Sequence, residues 1–243
     1  MDNLSTIILA GSLIVIMLGM GLTLHMADFK RIFLFPKAIF IGLTNQLLLL
    51  PLVGFCIILL FPMQPEIAVG LMILVACPGG PTSNLISHLA KADLALSVTL
   101  TALSSLITIL TIPFIVIFSL EYFLGVGQVV ELNVLSTIAQ IFVIVVIPII
   151  VGMLIRKYRP HFADSMAKPV RIASGAVLGL IIVGLVIKER ANFVSYFEQA
   201  GIAALVLNVV TMLLGYFSAK LFGLKVAAAR SIAIESGIQN GTL

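Results

Sequence analysis

Apolar stretches long enough to cross a bilayer recur along the whole chain and leave few folds open. About 20 apolar residues in helical form span the ~30 Å hydrocarbon core. Eight such segments fall at approximately 6–24, 38–61, 67–90, 94–119, 133–154, 171–187, 200–222 and 226–243. At 61% hydrophobic and 10% charged, the chain has far less charge than the ~25% of soluble domains. The expected fold is an all-α membrane protein, a multi-pass helical bundle forming a single transmembrane domain over 1–243. Cys56 and Cys77 both lie inside apolar segments and read as small packing residues rather than a disulfide. The first segment has no basic leader and no small-x-small cleavage site, so it does not read as a signal peptide.

Two runs break the pattern: Cys77-Pro78-Gly79-Gly80-Pro81-Thr82-Ser83-Asn84 and Glu235-Ser236-Gly237-Ile238-Gln239-Asn240. Each places helix breakers and polar side chains in mid-segment. Backbone of that kind survives at membrane depth only when buried in protein or lining a wet cavity. Paired interrupted segments in corresponding halves of a transporter point to its binding site. Segments 1–3 can be laid against segments 6–8, which cross in the opposite sense. The second member of each set carries midspan amides, Asn45-Gln46 and Asn208, and the third carries the break. Inverted-topology repeats with two discontinuous helices are therefore expected. The sequence stops just past its second break, and helix carbonyls left open in lipid are costly. It is read as truncated, with the final helix, the partner of segment 4, missing.

Charge sets the orientation. With the N-terminus outside, twelve of the fourteen basic residues face the cytoplasm, leaving Lys188 and Arg190 outside. Basic residues near segment ends decide topology, and the longest of the short connections is expected near 155–170, where it is basic. The net charge of +4 is thus a topology signal, and no nucleic-acid partner is implied. Among the acidic residues, Glu235 alone lies within an apolar segment. A carboxylate at the bilayer centre costs about 2.5–3.5 kcal/mol on insertion scales, which marks ion or substrate paths.

Pro78 interrupts the first broken helix, and Pro81 can open a new half-helix whose N–H groups attract anions. Ser97 and Thr101 share a face at i,i+4, although hydroxyls in membrane helices commonly bond their own helix. Around Glu235, Gly237 permits unwinding next to the amides Gln239 and Asn240. Neutral oxygens with one carboxylate suit a monovalent cation, since hard cations take oxygen ligands.

These residues resemble the bile acid:sodium symporter family. The resemblance rests on Cys77-Pro78-Gly79-Gly80 with Ser83-Asn84, on Ala92-Asp93-Leu94-Ala95-Leu96-Ser97 with Thr101, on Met20-Gly21-Leu22-Thr23-Leu24, and on Glu235 with Gln239-Asn240. It covers nearly the whole chain, which looks like a bacterial-type, nine-helix-like member cut short at its C-terminus. The resemblance implies a panel domain and a core domain, with two broken helices crossing in the core. It implies one sodium site from Ser83, Asn84, Ser97, Thr101 and Glu235. A second would use Gln46, Glu235 and Gln239 with the carbonyls of Ser236 and Ile238. Pro81, Thr82 and Asn240 would face an organic anion, although position 81 often carries threonine in the family.

The expected function is sodium-coupled symport of an organic anion, bile acid-like or a small carboxylate, by alternating access. It requires no cofactor beyond Na+ as coupling ion and no catalytic residues. The chain is expected to act as a monomer in the cell membrane. One alternative is a proton-coupled or uncoupled transporter of the same fold, with Glu235 titrating. A remote one is an intramembrane hydrolase. His88 lies five residues from Ser83, and His25 and His161 lie at membrane edges, so no general base is placed for a serine nucleophile.

Overall fold

Prolines write several of the helix boundaries. The structure is a computed structural model describing residues 3–24, 34–125, 136, 139–140, 142–188 and 190–240. Its helices are α1 (Asn3–Gly21), α2 (Pro36–Leu60), α3 (Pro65–Ala76), α4 (Pro81–Leu89) and α5 (Leu94–Leu124), then α6 (Ile147–Tyr158), α7 (Pro160–Lys188), α8 (Phe193–Leu221) and α9 (Val226–Gly237). Four of them begin on proline, whose fixed φ and missing N–H suit a first helical position. The residue before a proline is driven out of the helical region. Gln64, Cys77 and Gly80 accordingly have ψ of 145°, 148° and −174°.

Two other prolines each follow a widened turn. α2 widens into a π turn at Asn45–Leu49, where Leu50 N–H donates to Asn45 O, and Pro51 follows. A second π turn at Phe142–Val146 runs into α6, whose second residue is Pro148. A proline ring crowds the carbonyl four residues back and leaves it without a donor. One extra residue in the preceding turn relieves that clash, which accounts for both widenings.

Among the described residues, Pro36–Leu60, Leu94–Leu124 and Phe193–Leu221 are long and apolar enough to span a membrane, and Gly11–Gly21 and Pro65–Ala76 are shorter apolar helices. The chain is an all-α multi-pass membrane protein. Large side chains left exposed, such as Leu48, Leu52, Leu60, Leu110 and Phe114, suit a lipid solvent. The basic stretch 155–170, expected to be the longest connection, is a correction: only Arg159 separates α6 from α7, and Pro169 lies within α7. Asp2, His25, Asp28, Lys30, Arg31, Glu131, Glu189 and the start of the fifth segment lie outside the described residues.

The chain divides into two compact units, Met1–Met26 with Leu135–Phe193 and Thr242–Leu243, and Ala27–Val134 with Val194–Gly241. In the first, α1 crosses α6 almost backbone to backbone. A Cβ on Gly21 would lie 2.3 Å from Ile149 O, and one on Gly152 would lie 2.5 Å from Leu18 O. Close approach of this kind is how membrane helices gain packing energy. Gly152→Val is expected to lower stability by about 1–3 kcal/mol through overpacking, read as a fall in thermal midpoint in detergent.

In the second unit, two apolar clusters flank a polar layer. One joins Leu50, Ile57 and Ile58 of α2 to Leu71, Met72 and Val75 of α3 and Leu207 of α8. The other joins Ala38, Ile39 and Ile41 of α2 to Leu96 and Leu100 of α5, Ala219 of α8 and Ile232 of α9. Along α2 the buried amides Asn45 and Gln46 sit between them. The loop into α9 turns at Gly223, whose φ of 75° is the left-handed value glycine supplies after a helix.

Candidate functional site

Both breaks meet in the second unit, joined through main chain: Asn240 N–H donates to Pro78 O at 2.8 Å. The first helix stops at Ala76, Cys77 and Gly80 are extended, and Pro81 opens α4. The second stops at Gly237, and Ile238 is extended. The two discontinuous helices therefore come together at their interruptions. Space there is tight. A Cβ on Gly79 would sit 2.0 Å from Glu235 Oε2, and one on Gly80 would sit 3.0 Å from Asn240 Cβ.

Glu235 is 3% exposed and is approached by hydroxyls from two helices. Ser83 Oγ, at the first turn of α4, lies 2.7 Å from Oε1. Ser97 Oγ lies 2.5 Å from Oε1, and Thr101 Oγ1 lies 3.0 Å from both carboxylate oxygens. The start of a helix carries partial positive charge, which favours a carboxylate beside it. Along α5 the hydroxyls of Thr99, Ser105 and Ser119 donate to the carbonyl four residues back. Ser97 and Thr101 do otherwise. Hydroxyls in membrane helices commonly bond their own helix, yet both of these point at Glu235.

These oxygens are short of hydrogens. Ser83 Oγ also lies 2.7 Å from Gly80 O. Asn84 Oδ1 lies 3.0 Å from Ser97 Oγ and 3.3 Å from Thr101 Oγ1. Seven oxygen–oxygen approaches thus share three hydroxyl hydrogens. Each hydroxyl can donate once, so several lone pairs face one another around a carboxylate. A small cation, or an added proton, is what such a cluster accepts. The described residues contain one ion pair, Arg156 with Asp164, and it does not involve Glu235.

A second polar group adjoins the first. Gln46 Nε2 donates to Gln239 Oε1 at 2.6 Å and to Cys77 O at 3.0 Å. Its Oε1 is buried without a partner. Gln239 Nε2 reaches Ser236 O at 3.0 Å and Glu235 O at 3.4 Å. Ser236 therefore offers a carbonyl already shared with Gln239, and its hydroxyl is turned back to Ile232 O. Ile238 places its N–H on Ile234 O.

Of the residues expected at the anion, Pro81 opens α4, Thr82 is exposed, and Asn240 packs beside Gly80. Ser83 has Gly80 and Glu235 as hydroxyl partners rather than a histidine. Sequence reasoning missed two amide contacts. Asn45 pairs with Ser218 at 2.9 Å, and Asn208 Nδ2 caps Gly237 O at 2.8 Å. A midspan amide in an apolar segment was the available signal for both.

Residues 10–196 match the Sodium Bile acid symporter family. The chain belongs to that family. It is 29% identical to the probable sodium/metabolite cotransporter BASS1 of Arabidopsis thaliana chloroplasts over 95% of this chain and 56% of that protein. It is 33% identical to the uncharacterized sodium-dependent transporter YocS of Bacillus subtilis over 94% of this chain and 70% of that protein. It is also 28% identical to the human ileal sodium/bile acid cotransporter over 100% of this chain and 68% of that protein. The chain spans little more than half the length of the chloroplast relatives it matches. Members of the family are named as transporters, not enzymes.

Proposed function

We propose that this chain forms the body of a single-domain, sodium-coupled symporter of an organic anion, working by alternating access. The observation that carries the reading is the hydrogen-poor oxygen cluster around Glu235. Oxygen ligands around one carboxylate suit a hard monovalent cation. Ser83, Asn84, Ser97, Thr101 and Glu235 would hold one sodium ion. Gln46, with its unpartnered Oε1, would hold a second together with Gln239, the Glu235 carboxylate and the carbonyls of Ser236 and Ile238. The anion would bind at Pro81, Thr82 and Asn240, where the start of α4 supplies partial positive charge. Relatives named for sodium and for bile acid or metabolite cotransport support the same class. The test is uptake of candidate organic anions into proteoliposomes at constant pH. Saturable uptake driven by a sodium gradient is expected. Uptake that follows a proton gradient and ignores sodium would replace this reading with the proton-coupled one.

Orientation has its own check. The chain is expected in the cell membrane as a monomer with its N-terminus outside, because that arrangement keeps most basic residues within. In a Cys56→Ser background, Glu198→Cys is expected to react with an impermeant thiol reagent on intact cells, and Arg159→Cys to be protected. The reverse pattern would overturn the orientation.

A further inference from the structure

One device holds both breaks. Gln46 Nε2 on α2 donates to the carbonyl of Cys77, where the first broken helix ends, at 3.0 Å. Asn208 Nδ2 on α8 donates to the carbonyl of Gly237, where the second ends, at 2.8 Å. The last carbonyls of a helix have no partner within it. In each half, a midspan amide from the preceding membrane segment supplies one. The two amides occupy matching places in the sequence repeat: second segment of each set, capping the third.

The resemblance between the clamps makes their difference informative. Gln46 also grips Gln239 Oε1 at 2.6 Å. The stretch Gly237-Ile238-Gln239 is thus held from α8 at one end and from α2 at the other. α8 lies directly against it: a Cβ on Gly237 would come within 2.2 Å of Met212 Cγ and 3.3 Å of Asn208 O. Asn208 lies outside the proposed ligand sets, yet it fixes the carbonyl two residues before Gln239.

We propose that Asn208 is a positioning residue for the second sodium site. By anchoring Gly237 O it sets where the Gln239 amide stands against Gln46, and so sets affinity at that site while leaving the Ser83–Ser97–Thr101 group in place. This inference rests on the two-ion reading above. Loss of a residue that orients a metal ligand typically lowers metal affinity about 10- to 100-fold.

The experiment compares the parent protein with Asn208→Ala, Asn208→Leu and Asn208→Gln. Sodium dependence of ²²Na binding and anion uptake is measured beside hydrogen exchange of residues 236–240. Alanine and leucine are expected to raise half-saturating sodium about tenfold. They should also bring its Hill coefficient towards one and speed exchange at Ile238 and Gln239. Glutamine, which keeps an amide donor, should recover most of the affinity. Because leucine fills the space that alanine empties, it carries the comparison if alanine fails to fold. Wild-type sodium affinity and cooperativity in folded alanine or leucine variants would overturn the proposal, even if exchange accelerates. A parent protein that ignores sodium would instead remove the functional reading. Unchanged exchange at Ile238 in the variants would then remove the clamp as well.

Discussion

Glu235→Gln is expected to abolish sodium-driven anion uptake while leaving a folded protein. The substitution keeps the side chain's length and shape and removes its charge. It also places an NH2 group among hydroxyl oxygens that have hydrogens to receive but none to spare. The neutral, donor-bearing site then satisfies itself and has no attraction for a cation. At an effective dielectric of about 20, a unit charge pair 4 Å apart is worth about 4 kcal/mol. That corresponds to roughly a thousandfold in sodium affinity, at about 1.4 kcal/mol per decade. Both proposed ions share this one carboxylate, so both are lost. The driving force at stake is large. Two sodium ions entering with one univalent anion move one net charge, worth about 2.3 kcal/mol per 100 mV. Tenfold sodium gradients supply about 2.8 kcal/mol more. ²²Na flux and anion uptake measured side by side decide the matter: full sodium-dependent uptake by Glu235→Gln sinks the mechanism.

Gly79→Ala is the second large effect, and it tests geometry rather than charge. The added methyl would stand 2.0 Å from Glu235 Oε2, so the carboxylate must leave its hydroxyls or the break must open. Overpacking of this kind costs about 1–3 kcal/mol. A carboxylate displaced from its cage should lose about 10- to 100-fold in sodium affinity, equivalent to roughly 1.4–2.8 kcal/mol. Gly80→Ala provides the contrast, because its methyl would meet Asn240 at 3.0 Å. Its main effect is expected on anion affinity. Sodium dependence unaltered in Gly79→Ala would mean that Glu235 does not sit against the first break.

The outline of this arrangement was legible in the sequence because lipid enforces it. Polar and helix-breaking residues are so costly in apolar segments that their positions announce the breaks, and Glu235, Gln46, Ser83 and Asn84 do converge in the structure. Aim was harder to read. Nothing in the spacing of α5 separates Ser97 and Thr101, which face Glu235, from Thr99 and Ser105, which bond their own helix; the choice depends on what packs opposite. The π turns were missed for a related reason. A proline inside a long apolar run can be carried by a continuous helix, stop it or widen it, and the structure uses all three outcomes, at Pro113, Pro78 and Pro51. The 155–170 stretch misled because charge was taken as loop, whereas Arg156 and Lys157 lie in the last turn of α6, where cations suit the helix dipole.

The bond from Asn240 N–H to Pro78 O has a consequence of another kind. Donor and acceptor are both main chain, so replacing the side chain at either position leaves the atoms of the bond in place, proline at 240 excepted. The joint between the two halves is inherited with the path of the chain and not with the identity of its residues. If positions 81, 82 and 240 face the anion as proposed, substitutions there can alter substrate preference without unfastening the halves from each other. To cut the joint while keeping the side chain at residue 240, a chemist would have to exchange its amide for an ester.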